Sequence, residues 1–213
     1  MLKRKLRKLL SRFGIGPGKK LSLAEAHSKG LDLQNLHLGC GNIYIPGWCN
    51  VDAIPTGCTD LVCDIQTLPD MPDGTAQQIY SCHVLEHFAT AHIPEILSRW
   101  FEILKPGGEL RISVPDLDAI TAIYQKNLAH FQVPGHQPWI ALIYGGQKDQ
   151  YDFHLTGFNF CWLKYLLENT GFTDVRRYEF TPHFIPGLVD NSLAQEPFGE
   201  YISLNIMATK PLK

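Results

Sequence analysis

His37-Leu38-Gly39-Cys40-Gly41-Asn42 is the stretch that decides the fold. The apolar run Gln34 to Leu38 reads as a strand, and it breaks into two glycines that let a ligand come close to the backbone where the strand ends. The next short strand, Trp48 to Asp52, closes on Val51-Asp52, where a carboxylate can accept hydrogen bonds from a pair of vicinal hydroxyls such as those of a ribose. A third strand, Leu61 to Cys63, runs into Asp64-Ile65. In an open α/β sheet such strand ends line one crevice at the carboxyl edge.

Further along the chain the alternation continues. Gln78 to Cys82 and Glu109 to Val114 read as strands. Between them Ile93 to Leu104 places Ile93, Ile96, Leu97, Trp100 and Leu104 on one helical stripe. Lys105-Pro106-Gly107-Gly108 is expected to stop that helix, because proline cannot continue it and glycine suits a left-handed exit. Asp116 to Leu128 reads as a further helix. The run 131–160, rich in Gly, Pro, His and aromatic residues, has no clear period and reads as a long loop insertion roofing a site. A helix over Cys161 to Asn169, closed by Gly171, and strands at Val175 to Phe180 and Tyr201 to Thr209 complete the domain. The pattern predicts an open, mostly parallel sheet with helices on both faces. Only eleven positions separate Gly41 from Asp52, so the first crossover helix is expected to shrink to about a turn.

The 213 residues suit one domain, and 45% hydrophobic with 19% charged residues exclude collagen, coiled coil and wholesale disorder. The formal charge of −2 hides an asymmetry: residues 1–20 carry eight bases and no acid, leaving 11 bases against 21 acids in 21–213. Leu2, Leu6, Leu9, Leu10 and Phe13 recur at helical spacing, so 2–13 would form an amphipathic helix with Lys and Arg opposite, cut off by Gly14, Gly16, Pro17 and Gly18. Such an arm suits weak contact with a membrane surface, an RNA or acidic partner, or simple solvation. The acidic body argues against a nucleic-acid groove. Leu21 to Lys29 has a short helical look ending at Gly30.

The six cysteines at 40, 49, 58, 63, 82 and 161 form no C-x-x-C pair and no zinc spacing with histidine, so free thiols in a reducing, cytoplasmic compartment are expected, and no metal.

These motifs together resemble the class I S-adenosylmethionine-dependent methyltransferases. The resemblance is closest to a subgroup with the pattern LGCGN, PGWxNVD, CDI, VLEHF and LKPGGxLRISVPD, and covers about Leu31 to Leu117. It implies a Rossmann-like fold and S-adenosylmethionine as cofactor. Gly39, Cys40, Gly41 and Asn42 would approach its methionine part, Asp52 would hold the ribose, and Asp64 with Ile65 would flank the adenine. His83, after the fourth strand, would lie near methyl transfer. Two positions depart from the pattern: His37 stands where an acidic residue is common, and Tyr44 where a third glycine is. The same departures, with the short spacing to Asp52, count against a nicotinamide-binding fold, whose glycine-to-acid spacing is about 20 residues. A cofactor-binding interaction protein without catalysis is the rival of another class.

Attack by a hydroxyl on a methyl group needs a proton acceptor, whereas a neutral amine needs none. The candidates are His83, His87, Asp116, His136, Asp152 and His154. His154 stands first, because it lies in Tyr151-Asp152-Phe153-His154-Leu155-Thr156-Gly157 within the roofing insertion. Asp116 serves equally as a helix N-cap. Tyr144-Gly145-Gly146-Gln147 offers a polar edge to a hydroxyl-rich acceptor, and Trp139, Tyr151, Phe153, Phe158 and Phe160 are expected to close the lid over the core. The acceptor implied is a small or lipid-linked molecule, a sugar of surface polysaccharide among them.

Overall fold

The computed structural model describes residues 30–69, 71–132, 138–178, 184–195 and 199–213. The basic arm, the segment Leu21 to Lys29, His136 and the end of the strand expected at Val175 to Phe180 lie outside these residues.

Seven strands form one sheet in the order β3-β2-β1-β4-β5-β7-β6. They are β1 (Asn35–Leu38), β2 (Cys49–Asp52), β3 (Leu61–Val62), β4 (Ala76–Cys82), β5 (Leu104–Pro115), β6 (Thr173–Arg177) and β7 (Ser203–Thr209). The first five pair in parallel, and β7 runs antiparallel between β5 and β6. β1 lies between β2 and β4, so strand order reverses beside the Gly39–Asn42 loop, the position where ligands enter such sheets.

The two faces differ in chemistry. Leu36, Leu38, Val51, Ile79, Leu110, Ile112, Val114, Leu204, Ile206 and Ala208 point to one face and join a single core. Helices α1 (Ile93–Ile103) and α5 (Phe160–Thr170) cover it, burying Ile96, Leu97 and Trp100 from one and Leu163, Leu166 and Leu167 from the other. Because side chains alternate along a strand, the neighbours His37, Asn50, Tyr80, Cys82, Arg111, Ser113 and Asn205 face the opposite way. Among the described residues that polar face is covered by Trp48, Phe184 and the 3-10 turn Asn191–Leu193. The helices α1 and α5 share the apolar face.

Local signals explain most boundaries. Asn159 caps α5 by accepting from the amide of Trp162 at 2.9 Å, and Gly171, left-handed at φ 112°, ends it. Asp116 caps α2 (Leu117–Lys126) through the amide of Asp118. A further turn, α3 (Leu128–Phe131), follows it. Helix α1 stops at Ile103 as expected before Lys105-Pro106-Gly107-Gly108, and Gly107 is left-handed (φ 76°), but these residues lie within β5, in a bulge where the register jumps from Ala76↔Leu104 to Gln78↔Glu109. Two expectations need correcting. The β1–β2 connection contains turns and no helix at all. The insertion 131–160 is not all loop: α4 (Pro138–Tyr144) sets Trp139, Leu142 and Ile143 against Ile120, Ile123 and Phe131, a satellite core too short to show a period in the sequence.

The missing crossover helix is replaced by one side chain. Asn50, fully buried, accepts from the amide of Ile45 and from His37 Nδ1, and its Nδ2 donates to the carbonyls of Ile45 and Trp48 and to Asp60. Its own amide also donates to Asp60 at 2.9 Å. This stitches the turn that brings β2 back beside β1.

Candidate functional site

At the end of β1 the amides of Gly39 and Cys40 both donate to the carbonyl of Val51, at 2.8 and 3.1 Å. Gly39 is left-handed (φ 73°), and a Cβ there would fall 2.2 Å from Val84 Cγ2, so no other residue fits. Gly41 is also left-handed, but open space surrounds the place of its absent Cβ. Its amide donates to Asp52 Oδ2 at 2.8 Å, while Oδ1 of the same carboxylate accepts from the amide of Ile54 at 2.9 Å. Each carboxylate oxygen keeps a lone pair for a further donor, and Asp52 is half-buried at the mouth of the crevice. Asn42 is exposed beside it. The Cys40 side chain points into the body, and burial pushes its thiol up to about 11, so only its backbone can face a ligand.

Asp64 is exposed and closes the turn after β3, accepting from the amide of Gln66 and the hydroxyl of Thr67. Ile65 behaves differently from Asp64. Its side chain lies in the main core and its carbonyl accepts from the indole of Trp100.

The end of β4 carries the densest chemistry. His83 holds φ 54°, a conformation that costs a non-glycine residue of order 1–3 kcal/mol and clusters at functional sites. Its Nε2 lies 2.8 Å from Ser203 Oγ, whose single proton goes to the carbonyl of Asn191 at 2.6 Å. Nε2 therefore donates, and Nδ1, carrying the lone pair, faces Glu86 Oε1 at 3.4 Å. Desolvation, with the neighbouring His154 and His87, lowers the pKa of His83 to about 4, so the ring is neutral at ordinary pH. Glu86 is wholly buried, and among the described residues neither carboxyl oxygen has a hydrogen bond of good geometry. Burial raises its pKa to about 8, offset in part by the amides of Glu86 and Val84. Sequence reading passed over Glu86; the cue available was a carboxylate set in the apolar run Val84-Leu85-Glu86-His87-Phe88.

The insertion folds down onto this point. The amides of Leu155 and Thr156 donate to the Glu86 carbonyl, and His87 Nδ1 lies 3.1 Å from the carbonyl of Phe153. The rings of His87 and His154 meet edge to face, with centroids 5.1 Å apart. Burial lowers the pKa of His154, and the nearby His87 lowers it further, against hydrogen bonds to the backbone of Leu142 and Ile143. Gly145 and Gly146 leave no room for a Cβ against Asp152, which also accepts from the amides of Gln147 and Lys148. Asp152 is thus the organiser of the Tyr144–Gln147 turn that presents His154.

Asp116 stands apart from this cluster. One oxygen caps α2 and the other pairs with Arg177 at 3.1 Å, so its carboxylate is committed to the fold. Of the five lid aromatics, Phe158 is buried in the core, Trp139 packs in the satellite core and Phe160 lies under the Arg177 guanidinium, whereas Tyr151 and Phe153 are exposed. The structure therefore brings together His83, Glu86, His87 and His154, and separately Gly39, Gly41 and Asp52. Other concavities lie at the amino edge, beside Gly30, Gln34 and Lys105, and along α1 by Glu95 and Arg99, away from both groups.

Residues 13–112 match the family model described as a methyltransferase domain. That stretch, just under half of the chain, carries the methyltransferase-domain pattern, and S-adenosylmethionine is the cofactor it supports. Solved structures share the class I fold. A SAM-dependent methyltransferase from Archaeoglobus fulgidus is 17% identical, with a TM-score of 0.52 over 88% of this chain and 92% of the other. One from Methanosarcina mazei is likewise 17% identical, TM-score 0.52, over 91% and 100%. A 1,6-didemethyltoxoflavin-N1-methyltransferase from Burkholderia thailandensis, solved with 1,6-didemethyltoxoflavin and S-adenosylhomocysteine, is 17% identical, TM-score 0.52, over 87% and 74%. No curated protein matches the sequence. The crevice fits S-adenosylmethionine: Gly41 leaves open space above the loop, and Asp52 keeps one free lone pair on each oxygen for two hydroxyls. No helix among the described residues is long and apolar enough to cross a membrane.

Proposed function

We propose that this methyltransferase transfers a methyl group from S-adenosylmethionine to a hydroxyl of a small or lipid-linked acceptor, such as a sugar of surface polysaccharide. The backbone of Gly39 to Asn42 would approach the methionine part of the cofactor, Asp52 the ribose hydroxyls, and Asp64 with the backbone of Ile65 the adenine. The cofactor supplies an electrophilic methyl on sulfur; the chain's own share is alignment and exclusion of water. The observation that carries the reading is the meeting of His83, His87 and His154 beneath the insertion, next to the reversal of strand order. His154, its pKa lowered by burial, is neutral near pH 7 and available to take the proton of an attacking hydroxyl. His83 is held through Nε2 by Ser203, with Nδ1 turned toward Glu86, and acts as a wall of the site. The amphipathic pattern of residues 2–13 supports weak attachment at the inner face of a membrane, where a lipid-linked acceptor would be met, and the six free cysteines support a cytoplasmic location.

Two variants test this. Asp52→Ala is expected to weaken S-adenosylmethionine binding about tenfold or more in calorimetry, from the loss of two hydrogen bonds of roughly 1 kcal/mol each; unchanged affinity would show the ribose is elsewhere. His154→Ala is expected to lower homocysteine-product formation across a panel of sugar acceptors while leaving cofactor affinity intact. Full turnover would remove it from the reaction.

A further inference from the structure

The cluster at the end of β4 has a property that proton transfer does not use. Glu86, His87 and His154 each offer one ligand atom, and these atoms all lie within 4.8 Å of one another. Ligands about 2.1 Å from a common ion sit about 3.4 Å apart in a tetrahedron, so rotamer adjustment of the three side chains closes the set.

Each member is prepared in a way that ligands usually are. His87 engages the Phe153 carbonyl through Nδ1 at 3.1 Å, which leaves Nε2 as the lone-pair nitrogen. The His154 ring lies edge to face against His87, near the backbone of Leu142 and Ile143. A backbone carbonyl behind an imidazole fixes its tautomer and raises its basicity toward a metal. Glu86 is the unexplained group: its side chain is buried, His83 Nδ1 faces Oε1 only at 3.4 Å, and neither oxygen has a hydrogen bond of good geometry among the described residues. A buried carboxylate without a partner is costly, and a bound cation removes that cost. The Leu155 and Thr156 amides clamp the insertion to the Glu86 backbone, so the ligand from the insertion and the two from the 3-10 turn after β4 are tied at one point.

We infer that Glu86, His87 and His154 form a site for one divalent first-row transition-metal ion. Two imidazoles and one carboxylate suit zinc, iron(II) or cobalt(II) and leave coordination positions open toward the crevice. The sequence conceals the site because His154 comes from the insertion, far along the chain from Glu86-His87. Metal binding stands without the methyl-transfer reading; only its use rests on that reading, where in the metal-loaded protein the ion would bind the acceptor hydroxyl and promote its ionisation, taking over the part that His154 plays in the metal-free protein.

The test uses the full chain, stripped with chelator and titrated with cobalt(II). The expected result is about one equivalent bound, with visible ligand-field bands and no thiolate charge-transfer band, which separates this site from the six cysteines. His87→Ala, His154→Ala and the near-isosteric Glu86→Gln should each weaken binding by more than about tenfold, whereas His92→Ala, at an exposed turn, should not. Circular dichroism identifies any variant that fails to fold. Absence of stoichiometric binding to the unmodified chain, thiolate bands, or equal affinity in folded His87→Ala and His154→Ala would overturn the site. Calorimetry of S-adenosylmethionine on the same metal-free protein reads the methyltransferase proposal separately.

Discussion

The two faces of the sheet are held by different physics. On one, aliphatic strand residues meet α1 and α5, and stability comes from apolar area withdrawn from water. On the other, His37, Asn50, Tyr80, Arg111 and Asn205 meet an irregular segment through hydrogen bonds and ring contacts: Tyr80 donates to Asp190 at 2.5 Å, Asn205 Nδ2 to the carbonyl of Ser192, and Arg111 stacks on Phe184. A buried polar face makes heavier demands than an apolar one, since a single lost partner strands another group without water. Helices tolerate exchange of similar apolar side chains; the stitched face does not.

The largest effect should come from the apolar face. Trp100 is fully buried and its indole donates to the Ile65 carbonyl, so Trp100→Ala is expected to lower unfolding free energy by about 4 kcal/mol, read from urea denaturation. A loss below about 1.5 kcal/mol would mean that α1 is not the main support of the sheet. On the polar face, Asn50→Ala strands the Ile45 amide, the His37 ring and Asp60 together, with an expected cost of about 3 kcal/mol. Were it as mild as a surface substitution, the stitching would be incidental. The smallest effect separates the faces by pH. Burial lowers the pKa of His37, against its hydrogen bond to Asn50, so the folded protein prefers the neutral ring. Stability from this group is present above the unfolded value of about 6.5 and is lost as pH falls from there through the lowered folded pKa. Urea midpoints should therefore fall in that window for the unmodified protein and fall less for His37→Gln; parallel curves would show that His37 does not titrate with folding.

The strand ends were legible in sequence because each ends an apolar run in glycine or a carboxylate, and Gly39, Gly41 and Asp52 all sit at the crevice as that pattern implied. At Pro106-Gly107-Gly108 the local signal told where α1 ends and that a glycine turns left-handed, but not that pairing with β4 and with Lys210 carries the ladder through these residues. Ile65 misled because strand-end position does not reveal which way a side chain points. Glu86 was hidden for a tertiary reason: its burial depends on the insertion folding over it, and nothing near it in sequence announces a roof. His154 could be read as a candidate, but not its partners.

The connection between β1 and β2 bears on the order of assembly. Closing a loop this short carries a small entropic cost, and the hydrogen bonds of Asn50 all fall within thirteen positions of it; the neighbouring Gly41 and Asp52 are eleven apart. The cofactor half is thus built from contacts close along the chain. His83, by contrast, meets Ser203 across 120 positions, and Tyr80 meets Asp190 across 110. During synthesis the Gly39–Asn42 loop is complete before β7 has left the ribosome. The His83–Ser203 contact must wait for β7 to emerge.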